Sequence, residues 1–255
     1  MNNDSDFEKI FWQKHGYELV ATEDQSPSLR CLLNPASELM HHRGGAYSET
    51  QLIYGEPFRA VIQDGGRSAL SVGLGLGYNE ILVATEAIQN QIAPSGFRLL
   101  SFESEAVLKE QFLKWCQASE SAQVYDQIFE FFQAHSKAKK NEVQAWLREA
   151  FQIGGWQIEG ALTSEFLGKY PSSQRYDCVF YDAFSSKTSP YLWEQEFLSD
   201  FFQKVTSDRC QVSTYACTGA LKRALKISGF EVVLRNGFQS KRNSTLGIKR
   251  SSSNP

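Results

Sequence analysis

From Ser68 onward, short apolar runs alternate with stretches patterned for helix, and this alternation limits the fold more than any other feature. SALSVG (68–73), FRLLSFE (97–103), WQIEG (156–160), YDCVFYD (176–182), CQVSTYA (210–216) and FEVVLR (230–235) read as strands. Most are apolar on both faces, as a sheet covered on both sides requires. Between them, LGYNEILVATEAIQN (76–90), SEAVLKEQFLKWCQ (104–117) and residues 190–205 and 218–227 have helical spacing. Strands that alternate with helices form a parallel sheet with crossover helices, so an α/β fold is expected.

Two segments stand outside that rhythm. Residues 104–155 are too many for a plain crossover. Within them QVYDQIFEFFQAH (123–135) and NEVQAWLREAFQI (141–153) look helical, joined by a basic link at 136–140, and are expected to form a helical insertion or lid. Residues 1–66 are expected to be a β-rich extension packed on the main domain. YELVAT (17–22) and SLRCLL (28–33) flank a polar turn, AYSETQLIYGEPF (46–58) has helix-like spacing, and Asp64-Gly65-Gly66 is a turn. The main domain then spans 67–250, and 251–255 is expected to be a disordered tail.

Composition narrows the class. A chain of 255 residues, 42% apolar, can bury a core without disulfide staples. The five cysteines (Cys31, Cys116, Cys178, Cys210, Cys217) are odd in number and form no C-x-x-C pair, which fits a reducing compartment. Cys178 and Cys210 fall within expected strands and read as core. The histidines (His15, His41, His42, His135) lack metal-ligand spacing, so no metal is expected. The start of the chain has no apolar signal region, and no run of 18 apolar residues occurs. A membrane span is therefore not expected, and a cytoplasmic location is. Net charge is −3, yet residues 203–255 hold ten Lys and Arg against only Asp208 and Glu231. A basic C-terminal segment on an acidic body is either a polyanion face or a solvated surface.

The loop Gly73-Leu74-Gly75-Leu76-Gly77 follows the first strand of the alternation and opens a helix. Its glycines permit a tight turn and close backbone approach to a ligand, or simply fill a tight turn. Glu103 ends the next strand, 26 residues after Gly77, where a carboxylate can hold two ribose hydroxyls. Loop and acid together point to a nucleoside cofactor, either a nicotinamide dinucleotide or S-adenosylmethionine. The absence of a phosphate-binding lysine after the loop tilts the reading to the latter. Asp182 ends the fourth strand, where an open sheet binds ligands, and Ser185 to Pro190 already supply cap and turn residues without it.

At these positions the sequence resembles the methyltransferase domain of the MnmC family, collinearly from about Thr22 to Arg250. The family's G-F-G-T-G-L-N reads Gly73-Leu74-Gly75-Leu76-Gly77-Tyr78-Asn79, and its S-x-E reads Ser101-Phe102-Glu103. Its D-A-F-[SA]-P-x-K-N-P-x-[LM]-W, the most specific motif, reads Asp182 through Trp193. Thr214-Tyr215, the helix from Thr218, Gly229-Phe230, Gly237-Phe238 and Lys241-Arg242 follow in order, and Glu38, His41, Gly45-Ala46 and Glu49-Thr50 match upstream. Departures are Ser71 and Ala161 where the family has acids, Ser186 for a proline, Ser189 for an asparagine, and Gln239, Asn243 and Ser244 near the C-terminus.

The resemblance implies a Rossmann-like, class I methyltransferase with a mostly parallel seven-stranded sheet and helices on both faces. It implies S-adenosylmethionine held by Gly73, Gly75, Gly77, Asn79, Glu103, Gly160 and Asp182. It implies transfer of a methyl group to the aminomethyl substituent of wobble uridine in tRNA, with Asp182 catalytic and Glu49, Phe184, Tyr215, Lys241 and Arg242 on the substrate side. Trp193 reads more as core than as a stacking platform. No second glycine-rich dinucleotide motif follows, so a fused flavin oxidase is not expected in this chain. A cofactor-binding but non-catalytic protein, and a methyltransferase of another small substrate, remain as alternatives.

Overall fold

The computed structural model describes residues 3–33, 37–239 and 243–250. In chain order its elements are α1 (Asn3–Lys14), β1 (Tyr17–Ala21), β2 (Pro27–Cys31), α2 (Ala46–Thr50), α3 (Glu56–Gln63), β3 (Ser68–Val72), α4 (Tyr78–Gln89), β4 (Arg98–Phe102), α5 (Ala106–Cys116), α6 (Val124–Ala134), α7 (Lys140–Gln152), β5 (Trp156–Glu159), α8 (Ser164–Lys169), β6 (Tyr176–Tyr181), α9 (Gln195–Val205), β7 (Thr206–Thr214), α10 (Gly219–Ile227), β8 (Glu231–Asn236) and β9 (Asn243–Ile248). A π-helical turn, Gln51–Gly55, joins α2 to α3.

Seven strands make one sheet in the order β5-β4-β3-β6-β7-β9-β8. β3 to β7 pair in parallel, whereas β9 runs antiparallel to both neighbours. Chain direction across the sheet reverses between β3 and β6, which opens a crevice at their carboxyl ends. β3, β4 and β6 send alternate residues into two separate cores. Ala69, Leu99, Cys178 and Phe180 enter the one built with α1 to α7. Leu70, Leu100, Val179 and Tyr181 enter the other, built with α8 to α10. Cys178 and Cys210 are fully buried, one in each core.

The structure departs from the sequence reading in three places. Residues 1–66 are less β-rich than expected. Among the described residues there, β1 and β2 pair as an antiparallel hairpin, Arg30 and Leu39 form an isolated bridge, and α1 precedes them. α1 is held by Trp12, which is fully buried edge-on to Tyr17, and by Glu8, whose carboxylate accepts a 2.7 Å hydrogen bond from the Val124 amide at the start of α6. Residues 104–155 form the helical insertion, one of the two forms expected, but its second and third helices are part of the core. Tyr125, Ile128 and Phe129 of α6 and Val143 and Leu147 of α7 are fully buried in the first core, because the amphipathic faces of both helices pack on α4 and that of α7 also on α5 and β5. Residues 190–205 form not one helix but a 3-10 turn, Pro190–Trp193, and then α9, because Glu194 is extended. The expected tail at 251–255 lies outside the described residues.

Candidate active site

The crevice at the switch point is a cavity of about 1050 Å³. The turn after β3 forms its floor. Gly73 and Leu74 both donate backbone hydrogen bonds to the Phe102 carbonyl, which folds the loop onto the end of β4. The three glycines have left-handed φ values of 94°, 52° and 74°, but their surroundings differ. A Cβ on Gly73 would stand 2.7 Å from the Asp182 carbonyl oxygen, and one on Gly77 2.3 Å from the Phe112 ring. A Cβ on Gly75 would meet only Met40 Sδ, at 3.5 Å. Gly73 and Gly75 line the cavity and Gly77 does not. Gly77, expected at the cofactor, instead packs α4 against α5.

Glu103 leaves β4 and lies beside the loop. Its Oε2 accepts a 2.8 Å hydrogen bond from the Gly75 amide, and its Oε1 one of 2.8 Å from the Glu105 amide. Burial pushes its pKa above the ordinary carboxylate value, while those amides pull the other way. A carboxylate has about four acceptor positions, so Glu103 can still accept a further donor from the cavity.

Asp182 follows β6 and faces the same cavity. It does not cap a helix. Its backbone amide donates to the Val72 carbonyl at 3.0 Å, which seats it beside the glycine loop. Oδ1 accepts a 2.6 Å hydrogen bond from the Tyr54 hydroxyl, and Oδ2 one of 3.2 Å from Asn79 Nδ2. Asn79 is buried in the first turn of α4, and its Oδ1 has no hydrogen-bond partner.

Around this centre the cavity gathers Glu49, Gly160, Ala161, Phe184 and Tyr215. Glu49 is buried and accepts a 2.6 Å hydrogen bond from the His42 amide. Tyr215 donates to the Ala183 carbonyl at 2.8 Å. Burial pushes its pKa well up, helped by the charges of Asp182, Glu38 and Glu49. Trp193 is buried, edge-on to Tyr181, as the core reading expects. Lys241 and Arg242 lie outside the described residues. Motif reading missed Tyr54 and Met40, because their roles come from contacts far along the chain. Glu38 was legible only as part of an upstream pattern. Its carboxylate takes hydrogen bonds from Ser185 N and Oγ and from Thr188 Oγ1, at 3.3, 3.1 and 2.7 Å, and so ties residues 185–188 to the upstream segment.

The lining is rich in carboxylates: Glu38, Glu49, Glu103, Glu105 and Asp182. Two of its cations are engaged elsewhere, Arg30 with Glu18 at 2.9 Å and Arg43 with Glu23 at 3.3 Å. Such a wall favours a cationic or hydrogen-bond-donating ligand. Among the described residues no group of three His, Cys, Asp or Glu side chains could hold a metal ion. Nor is any described helix long and apolar enough to cross a membrane.

Residues 125–250 match a family described as S-adenosyl-L-methionine-dependent methyltransferase. An uncharacterized protein of Methanocaldococcus jannaschii is 24% identical over 242 residues, 95% of this chain and 62% of its own length. The tRNA 5-methylaminomethyl-2-thiouridine biosynthesis bifunctional protein MnmC of Idiomarina loihiensis is 26% identical over 177 residues, 69% of this chain and 28% of its own. The protein of the same name from Hahella chejuensis is 36% identical over 76 residues, 30% of this chain and 12% of its own. This chain thus spans less than two thirds of the length of these relatives. Among solved structures, MnmC2 from Aquifex aeolicus has the same fold, with a TM-score of 0.64 at 22% identity over 94% of this chain and 72% of that one. Over residues 125–250 the chain thus resembles S-adenosyl-L-methionine-dependent methyltransferases, over parts of its length it resembles MnmC proteins, and it shares the fold of MnmC2.

Proposed function

We propose that the chain methylates the primary amine of the aminomethyl group on the wobble uridine of tRNA, converting 5-aminomethyl-2-thiouridine to 5-methylaminomethyl-2-thiouridine. The observation that carries this reading is Asp182, held through both oxygens in the cavity that also contains Gly75 and Glu103. The likeness to proteins named for 5-methylaminomethyl-2-thiouridine biosynthesis supports the choice of substrate.

The residues fit the cofactor. Asn79 lines the cavity beside Asp182, and the open face of Gly75 leaves room for close approach of the cofactor. Glu103 offers its remaining acceptor capacity to the ribose hydroxyls. Gly73 shapes the floor, and Gly160 with Ala161 lines the far wall. When bound, S-adenosylmethionine supplies an electrophilic methyl group. Asp182 orients the substrate amine by accepting a hydrogen bond from it, and receives the proton that the amine loses, directly or through water. Glu49 adds negative charge beside that amine, while Phe184 and Tyr215 flank the base. Alignment of the two reactants supplies most of the acceleration. Such a reaction belongs in the cytoplasm, where tRNA is matured.

Nucleoside analysis of tRNA from a strain lacking the gene tests the proposal. The methylaminomethyl nucleoside should disappear and its aminomethyl precursor accumulate. Unchanged wobble uridines would overturn the reading.

A further inference from the structure

The geometry of Asp182 depends on a side chain that lies 128 positions earlier. Tyr54 sits in the π-helical turn Gln51–Gly55 between α2 and α3. A π turn accommodates one more residue than an α turn, re-aims the side chains that follow, and recurs at functional sites. Here the ring of Tyr54 is 2% exposed and packs edge-on to Phe180 of β6.

We propose that Tyr54 is a positioning residue for methyl transfer, its hydroxyl holding the Asp182 carboxylate in the orientation that receives the substrate amine. This rests on the function proposed above. Packing alone would be met by phenylalanine, which fills the same space. The hydroxyl adds a donor to one carboxylate oxygen, while Asn79 from α4 donates to the other. Two donors on different oxygens stop rotation about the Cβ–Cγ bond. They also favour the ionised carboxylate, the form able to take a proton.

That help matters because the neighbouring charges oppose it. Glu49 from α2, Glu38 from the upstream segment, Glu103 after β4 and Tyr215 after β7 line the same cavity, as do His41, His42 and Lys187. Each carboxylate disfavours a further negative charge on Asp182. Tyr54 itself stays protonated, since burial, and then the charge of Asp182, raise its pKa well above the ordinary phenol value.

The test uses the full chain with 13C-carboxyl aspartate, titrated by NMR, with the Asp182 signal assigned through Asp182→Asn. In Tyr54→Phe the Asp182 midpoint should rise by on the order of one pH unit. Turnover on tRNA carrying aminomethyl uridine should fall about tenfold at neutral pH, with KM for S-adenosylmethionine within about threefold. In the Asp182→Asn background, Tyr54→Phe should have little further effect. Incorporation of 3-fluorotyrosine in place of Tyr54 keeps the shape and strengthens the donor, so it should move the midpoint the other way. No transfer by the wild-type chain would overturn the proposed function, and this role with it. Transfer by the wild type, with midpoint and turnover unchanged in Tyr54→Phe, would overturn this role alone.

Discussion

Glu80, in the first turn of α4, is a fully buried carboxylic acid that the reaction does not use. Ser101 Oγ donates to its Oε1 at 2.7 Å, and Trp156 Nε1 donates to that hydroxyl at 3.1 Å. Burial pushes its pKa up to about 7, against the pull of Ser101. The folded protein therefore binds this proton more tightly than the unfolded chain does. Below about pH 4.5 the group is neutral in both states and has no effect. As pH rises towards 7 the unfolded chain ionises first, and stability falls by about 3 kcal/mol in all. Glutamine mimics the protonated form. Glu80→Gln should melt at a higher temperature than wild type at pH 8 and at nearly the same temperature at pH 4. Parallel melting curves for the two proteins across this range would refute the assignment.

Elements decide which glycine of the loop serves folding and which serves the ligand. At the β3–α4 junction Gly77 is left-handed, with Phe112 of α5 where a Cβ would be. Gly77→Ala must strain the turn and displace that ring, and should cost several kcal/mol, on the order of a core overpacking plus a left-handed alanine. Gly75 is left-handed too, but faces the cavity. Gly75→Ala should cost the fold only about 1 kcal/mol while weakening S-adenosylmethionine binding by at least tenfold. Thermal denaturation and calorimetry on both variants separate the two roles. Equal losses of stability would show that the loop is one packing unit. The Glu38 tether belongs to the same scale, since it joins two segments whose own sequences show no preference for each other.

At the scale of the whole molecule, charge is the feature that an RNA partner would meet first. The basic segment does not present all its cations to solvent. Arg235 pairs with Glu56, and Lys249 lies over the Phe230 ring. Lys222 and Lys226 remain on α10, with Arg223, one to two turns beyond a groove shared by Ser185, Tyr215 and Thr218 beside the main cavity. Lys241 and Arg242, which lie outside the described residues, are proposed to contact the tRNA as well. Reversal of Lys222, Arg223 and Lys226 to glutamate should weaken tRNA binding and flatten its salt dependence by about two in log–log slope. Cofactor affinity should stay unchanged. If the slope holds and reversal of Lys137, Lys139 and Lys140 abolishes binding instead, the link between α6 and α7 is the RNA face.

Much of this architecture could be read from the chain because it depends on near neighbours. The inner strands are apolar on both faces whatever lies beside them, and most of their observed ends fall within two residues of those read from sequence. The glycine turn and the acids at 103 and 182 are legible for the same reason, as local chemistry at strand ends. Helix α1 was missed although Phe7, Ile10 and Phe11 have helical spacing, because Phe7 and Ile10 are largely exposed and the helix is held by Trp12 and Glu8. The insertion of β9 between β7 and β8, the burial of α6 and α7, and the contacts of Tyr54 with Asp182 and of Glu38 with Ser185 belong to tertiary structure alone. Each joins groups whose sequence separation is too large for local preference to encode. Only the packing of the two cores against one sheet brings them within hydrogen-bond range.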